Sequence, residues 1–223
     1  NQPSFYSDMG EIRNNITALA AAGRLTTTAQ KHYAGPTRQR EELYDTANDP
    51  HQINNLAGDP KQAARLKEMR KCLRAWMLDV KDMGFIPECD LAGRIKGTTA
   101  YELARSDKAP PLERIIDAAE LVGAGSAATA KQIKLLADSD SAVRYWAAVG
   151  LRASGAKAIS AAIKDVCPAV RIEAAWAMAD LDVLTGELEG GDARSAVRAA
   201  RALQMLGPKA RPALPVMQRV LKA

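Results

Sequence analysis

The chain has 223 residues, of which 4% are aromatic and 26% are charged, and its formal net charge is +5. This length is sufficient for one or two domains with cores of their own, and no run of residues approaches the about 20 apolar positions that a membrane-spanning helix needs. The small positive charge is spread along the chain, which favours solvated basic faces over a nucleic-acid-binding site.

The first part of the chain predicts a helix and then an extended segment. The sequence "SDMGEIRNNITALAAAG", residues 7–23, has apolar residues at helical spacing, with Asp8 as the predicted N-cap. Further along, "EELYD", residues 41–45, predicts a strand that leads into an Asp-Pro turn, where Asn54 and Asn55 can satisfy loose backbone groups. Because a lone strand leaves its backbone groups unpaired, we expect its partner strands to lie in upstream polypeptide.

A second helix is predicted from Asp59 onwards, with Asp59 as the N-cap and Pro60 at the first helical position. One apolar stripe runs along it, formed by Leu66, Met69, Leu73, Trp76, Met77 and Val80. Residues 91–110 contain glycine and proline without a sustained period. They predict a linker between a first domain, residues 1–90, and a second domain, residues 111–223.

Three segments of the second domain repeat one pattern at a fixed spacing. They begin at Asp138, Asp165 and Asp192, and each contains a Val-Arg pair and alanines before a Leu or Met. The Val-Arg pairs lie at 143–144, 170–171 and 197–198, so both intervals are 27 residues. With a second helix after each segment and a degenerate copy in front, the pattern predicts about four helix pairs that stack into an α-α superhelix.

The repeated acidic and basic residues predict a ladder along this stack. In each unit the Asp can cap the following helix or accept a hydrogen bond from a neighbouring Arg, whereas Arg152 lies outside the pattern. The ladder consists of Asp138, Arg144, Asp165, Arg171, Asp192 and Arg198. We favour internal pairing of these residues over a site for phosphates or an acidic partner. The pattern resembles the short, alanine-rich bacterial kind of HEAT-like repeat, which implies a solenoid that packs against or binds protein.

Few residues have the spacing of a catalytic or metal site. His32 is retained as a candidate for contacting a ligand, and His51 is interpreted as a surface or capping residue, since a single histidine without a ligand cluster usually has that role. The cysteines Cys72, Cys89 and Cys167 have neither disulfide-framework nor zinc spacing. No phosphate loop, Ser-His-Asp set or paired-carboxylate motif is visible. The sequence therefore predicts no catalytic, cofactor-binding or metal-binding residue in this chain.

The stretch "EELYDTANDPHQINNLAGDP", residues 41–60, resembles the closing segment of the sulfatase family. The resemblance rests on Glu42, Leu43, Tyr44, Asp45, Asp49, Pro50, Asn55 and Leu56. It covers about residues 1–90 and is similar to bacterial sulfatases of the heparan N-sulfatase kind, although Gln52 stands where the family often has Glu. In that family the segment closes a small C-terminal subdomain. The resemblance therefore implies a mainly α chain in which a small α+β piece precedes the solenoid.

The resemblance also implies a function. The chain would be the C-terminal, non-catalytic portion of an enzyme that hydrolyses sulfate esters or N-sulfates of a sulfated glycan, in the periplasm or outside the cell. The formylglycine and calcium of the family would belong to an upstream catalytic domain, the expected partner. The formylglycine motif is Cys/Ser-x-Pro-x-Arg, whereas proline follows Cys167 directly, so Cys167 is interpreted as a helix-start residue.

Two alternatives stay open. One is a stand-alone HEAT-like scaffold whose concave face binds a protein. The other is a HEAT-like nucleic-acid binder, which would need a concentrated basic groove with aromatic side chains. We expect no nucleic-acid partner and no membrane partner.

Overall fold

The computed structural model describes residues 9–35 and 39–222. The chain is mainly helical in these ranges, and no strand is formed within them. It divides into two compact units, residues 1–75 and 76–223. No helix in the described ranges is long and apolar enough to cross a membrane.

Two short helices lie in the described part of the first unit, α1 (Glu11–Ala21) and α2 (Thr28–Ala34). The predicted N-cap of α1, Asp8, lies outside the described residues. The start of α2 is fixed by a capping box, in which Thr27 Oγ1 accepts the Gln30 N–H at 3.2 Å and Gln30 Oε1 accepts the Thr27 N–H at 3.1 Å. This reciprocal pair satisfies two of the N–H groups that a helix start leaves without partners.

The predicted helix after Asp59 is formed, as a 3₁₀ turn (Pro60–Gln62) that continues into α3 (Ala63–Asp79). Asp59 caps the turn by accepting the Lys61 N–H at 2.9 Å. The predicted apolar stripe of α3 is largely uncovered, with exposed fractions of 51% for Met69 and 58% for Trp76. Large apolar side chains that remain exposed along one helix face are typical of a surface that packs against another body.

The predicted strand at residues 41–45 is not formed in the described structure, because these residues take part in no ladder, and the α+β piece is therefore not supported. The backbone groups that a neighbouring strand would satisfy are instead bonded locally. Leu43 donates its N–H to the Asn55 side chain at 2.9 Å and accepts the Leu56 N–H at 2.7 Å. Leu43 is buried beneath this loop, with 7% of its surface exposed. A side-chain amide therefore takes the place of a partner strand.

The second unit is a stack of helices. Its helices are α4 (Glu88–Arg94), α5 (Ala100–Leu103), α6 (Leu112–Ala119), α7 (Thr129–Leu135), α8 (Ser141–Ser154), α9 (Pro168–Met178), α10 (Leu181–Gly190), α11 (Ala193–Leu206) and α12 (Leu214–Val220). Between them lie the 3₁₀ segments Met83–Phe85, Ser126–Ala128, Lys157–Ala162 and Gly207–Ala213. The predicted second helix of one repeat is therefore the 3₁₀ segment Lys157–Ala162.

Each repeat packs on the next through its first helix. Helix α8 packs on α6, α7 and α9, and α9 packs in turn on α10 and α11. The alanines of the repeat lie fully buried at these contacts, at Ala147, Ala148, Ala174, Ala175, Ala199 and Ala202. Small side chains allow helices to approach closely, and burial of the neighbouring Leu and Ile residues stabilises the stack. The helices thus pack one on the next, as the 27-residue period predicts.

The third repeat differs from the other two at its helix start. Asp192 itself caps α11, whereas α8 and α9 begin after Asp140 and Cys167. Its valine, Val197, is 71% exposed, although the equivalent valines of the other repeats are fully buried. The end of the stack therefore presents a different surface from its interior.

Candidate functional site

The repeated aspartates share one local geometry at the start of each repeat. The carboxylate of Asp138 accepts the N–H of Asp140 at 2.8 Å, and that of Asp165 accepts the N–H of Cys167 at 2.8 Å. Asp192 accepts the N–H of Arg194 at 2.9 Å in the same way. Because this bond joins a side chain to the backbone two residues on, it fixes the turn that leads into each helix.

The repeated arginines do not all make the same contacts, unlike the repeated aspartates. Arg144 makes a two-bond contact with Asp165, at 2.6 Å and 2.8 Å, and donates to the backbone carbonyl of Asp138 at 2.9 Å. Arg171 repeats the carbonyl contact on Asp165, at 2.7 Å, but its carboxylate partner is Glu187. The structure thus joins Arg144 to a repeated aspartate, whereas Arg171 pairs with an acidic residue that the repeat does not contain.

The third arginine of the ladder, Arg198, belongs to a buried network that the sequence did not indicate. It donates to Glu173 at 2.8 Å and to the Tyr145 hydroxyl. Glu173 is only 2% exposed and also accepts from Arg152 at 2.6 Å. Arg152, placed outside the ladder by the sequence, stacks on the Trp176 ring at 3.7 Å. Glu173 and Trp176 lie three residues apart on α9, and this spacing was the signal in the sequence that could have indicated the network. Neither residue recurs in the other repeats, so the repeat pattern did not identify them.

A second network is centred on Arg94, a residue of the predicted linker, residues 91–110. Arg94 of α4 makes two bonds to Asp140, at 2.8 Å and 3.0 Å, and donates to Asp90 at 2.9 Å and to Ser141 at 2.6 Å. Asp140 also caps α8 through the Ala142 N–H at 2.8 Å. Although burial raises it, the pKa of the Asp140 carboxyl lies below its usual value because of the Arg94 guanidinium. These bonds therefore hold α4 against the N-terminal end of α8.

The histidine chosen from the sequence, His32, lines a pocket of the first unit. The pocket has a volume of about 270 Å³ and is lined by Lys31, His32, Gly35, Gln39, Glu42, Tyr44 and Asn55. The His32 ring meets the Tyr44 ring edge-on, with 6.4 Å between the centroids. Glu42, Tyr44 and Asn55 come from the stretch that resembles sulfatases, so the structure brings the candidate histidine next to that stretch. Whether this pocket binds a ligand stays a prediction.

The turn between these residues is built from side chains that accept backbone N–H groups. Asp49 accepts from Asn54 at 2.7 Å and from Ile53 at 2.9 Å, which lowers the pKa of its carboxyl. Asp45 bonds the side chain of Asn48 at 2.8 Å, which lowers its pKa in the same way. Both aspartates thus have a local structural role.

We expect Asn55→Ala to loosen this loop. The Asn55 amide bonds the N–H of Leu43 at 2.9 Å, the carbonyl of Glu41 at 2.9 Å and the N–H of Ala57 at 3.0 Å. Because these part-buried backbone groups would lose their partner, opening of the loop should become about 2 kcal/mol easier. Amide hydrogen exchange at Leu43 and Ala57 measures this change.

The matched control is Asn54→Ala. The Asn54 side chain is exposed, and only its backbone N–H takes part in the loop. Exchange rates at Leu43 that respond equally to the two substitutions would contradict the role given to the Asn55 amide.

The remaining candidates for chemistry are dispersed. Within residues 9–35 and 39–222, no group of three or more His, Cys, Asp or Glu residues could hold a metal ion. Cys72, Cys89 and Cys167 are free thiols. Cys167 is buried at the start of α9, and burial raises the pKa of its thiol to about 11. A thiol in that state is a poor nucleophile.

Two curated sulfatases are similar to part of the chain. An ulvan-active sulfatase of Formosa agariphila is 29% identical over 105 residues, which are 47% of this chain and 17% of that protein. The N-sulphoglucosamine sulphohydrolase of Homo sapiens is 35% identical over 72 residues, which are 32% of this chain and 14% of that protein. The chain thus spans less than a fifth of the length of either relative. No family model and no solved structure matches it.

Proposed function

We propose that the chain is a C-terminal, non-catalytic portion of a sulfatase whose catalytic domain lies upstream. The observation that carries this proposal is the local similarity to two sulfatases, over about a third to a half of the chain. The reaction would be hydrolysis of sulfate esters or N-sulfates, with a sulfated glycan as the substrate class. Such an enzyme would act in the periplasm or outside the cell.

The cofactors of this reaction are proposed to lie outside the described residues. A sulfatase needs a formylglycine and calcium, as the resemblance implies, but no cluster of potential metal ligands is present in the described ranges. The groups present do not fit these cofactors, so we assign both to the upstream domain. The role proposed for the chain itself is structural.

The exposed stripe of α3 supports a packing role. Met69, Leu73 and Trp76 are each more than half exposed and lie on successive turns of one helix face. Fully burying an exposed side chain of this kind contributes roughly 1.5–3 kcal/mol. Because these three are already about half buried, covering each contributes roughly half of that, and the three together can hold a domain interface. We assign this stripe as the surface that the upstream domain covers.

Oxidative footprinting tests this assignment. We expect hydroxyl radicals to oxidise Met69 in the 223-residue chain and to oxidise it several-fold more slowly in the native protein that carries the upstream domain. Met178 is the matched control, since it is 46% exposed against 51% for Met69. Its oxidation should be unchanged. Equal oxidation of Met69 in both proteins would contradict the proposed packing.

The solenoid-like stack is proposed to be a HEAT-like module that packs against or binds protein. Its support is the 27-residue period and the stacking of α8, α9 and α11 through buried alanines. If Met69 proves equally exposed in both proteins, the alternative of a stand-alone protein-binding scaffold gains weight.

A further inference from the structure

The positive charge of the chain is concentrated near its C-terminal end. Residues 193–223 contain seven of the 31 Lys and Arg residues and none of the 26 Asp and Glu residues, so the preceding residues carry 24 basic against 26 acidic side chains. Counting by halves hides this asymmetry, because all acidic residues of the second half lie before residue 193. A segment whose charges all have one sign attracts partners of the opposite sign.

Most of these cations lie at the surface of the last helices. Two of the seven are paired with glutamates, Arg198 with Glu173 and Arg219 with Glu189. Four others are exposed and form no ion pair with an acidic side chain in the described part of the chain, namely Arg194, Lys209, Arg211 and Lys222. Their charges are therefore accessible to an anionic partner.

Helix α11 contributes one exposed face to this surface. Arg194, Val197 and Arg201 lie on successive turns of it, at intervals of three and four residues. Val197 is 71% exposed, and the Arg201 guanidinium donates to Gln204 Oε1 at 2.6 Å. Asp192 caps the helix by accepting the Arg194 N–H at 2.9 Å, and α11 itself contains no acidic residue. No carboxylate of the helix therefore neutralises its two arginines.

The spacing of the cations favours an extended ligand. Arg194 and Arg201 are seven residues apart, which is about 10 Å along a helix axis. Lys209 and Arg211 follow beyond the end of the helix, in the 3₁₀ segment Gly207–Ala213. A single small anion cannot contact cations this far apart, whereas a polymer with an anionic group on each repeating unit can contact several of them at once.

The composition of the surface distinguishes between polyanions. Single-stranded nucleic acids bind through stacking on aromatic side chains as well as through charge, and residues 193–223 contain no Phe, Trp or Tyr. A second copy of the chain would bring the same positive charge against this surface. Arginine, by contrast, binds the oxygens of planar and tetrahedral anions through paired N–H donors. A polymer that carries sulfate groups fits this combination.

We propose that residues 193–223, with the exposed face of α11, form a binding surface for a sulfated glycan chain. The choice of a glycan among sulfated polymers rests on the proposed function, whose substrate class is a sulfated glycan. The surface holds the polymer through several exposed cations at once, and none of its residues takes part in catalysis.

Fluorescence anisotropy of a labelled heparin decasaccharide, titrated with the 223-residue chain, tests the surface. We expect saturable binding that weakens at least about tenfold when the salt concentration is raised from about 50 to 200 mM, because each cation that neutralises an anionic group of a polyanion releases a counterion. A hyaluronan decasaccharide, which carries carboxylates but no sulfate, should bind several-fold more weakly. Absence of saturable heparin binding at the lower salt concentration would overturn the proposal.

Two double variants make the test specific. Lys209→Ala combined with Arg211→Ala should raise the Kd for heparin about tenfold and reduce the slope of log Kd against log salt by about two, since two charge contacts are lost. Lys131→Ala combined with Lys134→Ala is the matched control, because both lysines are exposed on α7 of the same unit and the same charge is removed. The Kd of the control should change little.

Every result of these titrations bears on the surface. The substituted side chains are exposed, so the fold should be kept, and circular dichroism verifies this. If the Lys209 and Arg211 double variant fails to fold, Arg194→Ala replaces it, with a several-fold rise in Kd expected. Equal changes of Kd in the two double variants, or equally tight binding of double-stranded DNA, would contradict a glycan-binding surface at this position.

The assay involves no catalysis, so its outcome is separate from that of the proposed function. Heparin binding by the chain without sulfatase activity in the native protein would overturn the proposed function and leave the surface in place. Sulfatase activity in the native protein without heparin binding by the chain would overturn the surface alone.

Discussion

Replacing Glu173 by alanine is expected to destabilise the second unit by about 3 kcal/mol, since removing one member of a buried ion pair leaves its partners uncompensated. Glu173 is 2% exposed and is the shared acceptor of Arg152 and Arg198. Both guanidinium groups keep about a quarter of their side-chain surface in contact with solvent. For that reason we place the loss at the lower end of the range for buried pairs. Urea unfolding followed by circular dichroism measures it.

The matched control is Glu189→Ala in the same unit. Glu189 also pairs with an arginine, Arg219, but its side chain is 40% exposed and that of Arg219 is 63% exposed. Exposed pairs contribute about 0–1 kcal/mol, so this substitution should change the unfolding midpoint little. Similar midpoints for Glu173→Ala and Glu189→Ala would show that the buried network does not stabilise the stack.

Arg94→Ala is the second substitution with a large expected effect. It removes the only guanidinium that contacts both Asp90 and Asp140 in the described structure, and these carboxylates are 13% and 12% exposed. Because two part-buried carboxylates would lose this partner, the second unit should lose about 2–4 kcal/mol of stability. This loss is smaller than the about 3–5 kcal/mol expected when a fully buried ion pair is broken. Arg114→Ala is the control, because Arg114 is 48% exposed and makes a single 3.1 Å contact with Asp138. Equal losses for the two variants would contradict the assignment.

The pH dependence of the same pair provides an independent measurement. In the wild-type protein the pKa of Asp140 is lowered by Arg94, despite the opposing effect of burial. A lowered folded-state pKa contributes stability that is present above the unfolded value of about 3.9 and is lost as the pH falls through the folded-state pKa. The difference in stability between wild type and Arg94→Ala should therefore be largest above pH of about 4 and should shrink below it. A constant difference would show that Arg94 acts only through packing.

Local signals in the sequence predicted the local features of the fold. Asp59 and Pro60 begin a helix as predicted because capping requires only neighbouring residues. The 27-residue period predicted the helical stack because each repeat buries its alanines against the next. The strand at residues 41–45 was wrong because periodicity cannot show that a side-chain amide, that of Asn55, takes the place of a partner strand.

The side-chain networks depend on long-range contacts, and sequence reasoning found them only in part. Arg144 meets Asp165 from the neighbouring repeat, a contact that the period indicates. Glu187 and Glu173 attract Arg171 and Arg198 instead of a repeated aspartate, and neither glutamate has an equivalent in the other repeats. The close approach of the Gln132 side chain of α7 to Gly150 of α8 likewise depends on how the two helices lie together. Such pairs become visible only when the helices are in place.

We propose that the chain is a non-catalytic part of a sulfatase, and a measurement of enzymatic activity tests this most directly. Release of 4-methylumbelliferone from its sulfate ester is measured with calcium present, for the 223-residue chain and for the native protein in which we propose an upstream domain. We predict turnover by the native protein and none above the buffer blank by the chain alone. Turnover by the chain alone that is abolished by His32→Ala, or no turnover by the native protein on aryl sulfate or sulfated glycan, would contradict the account.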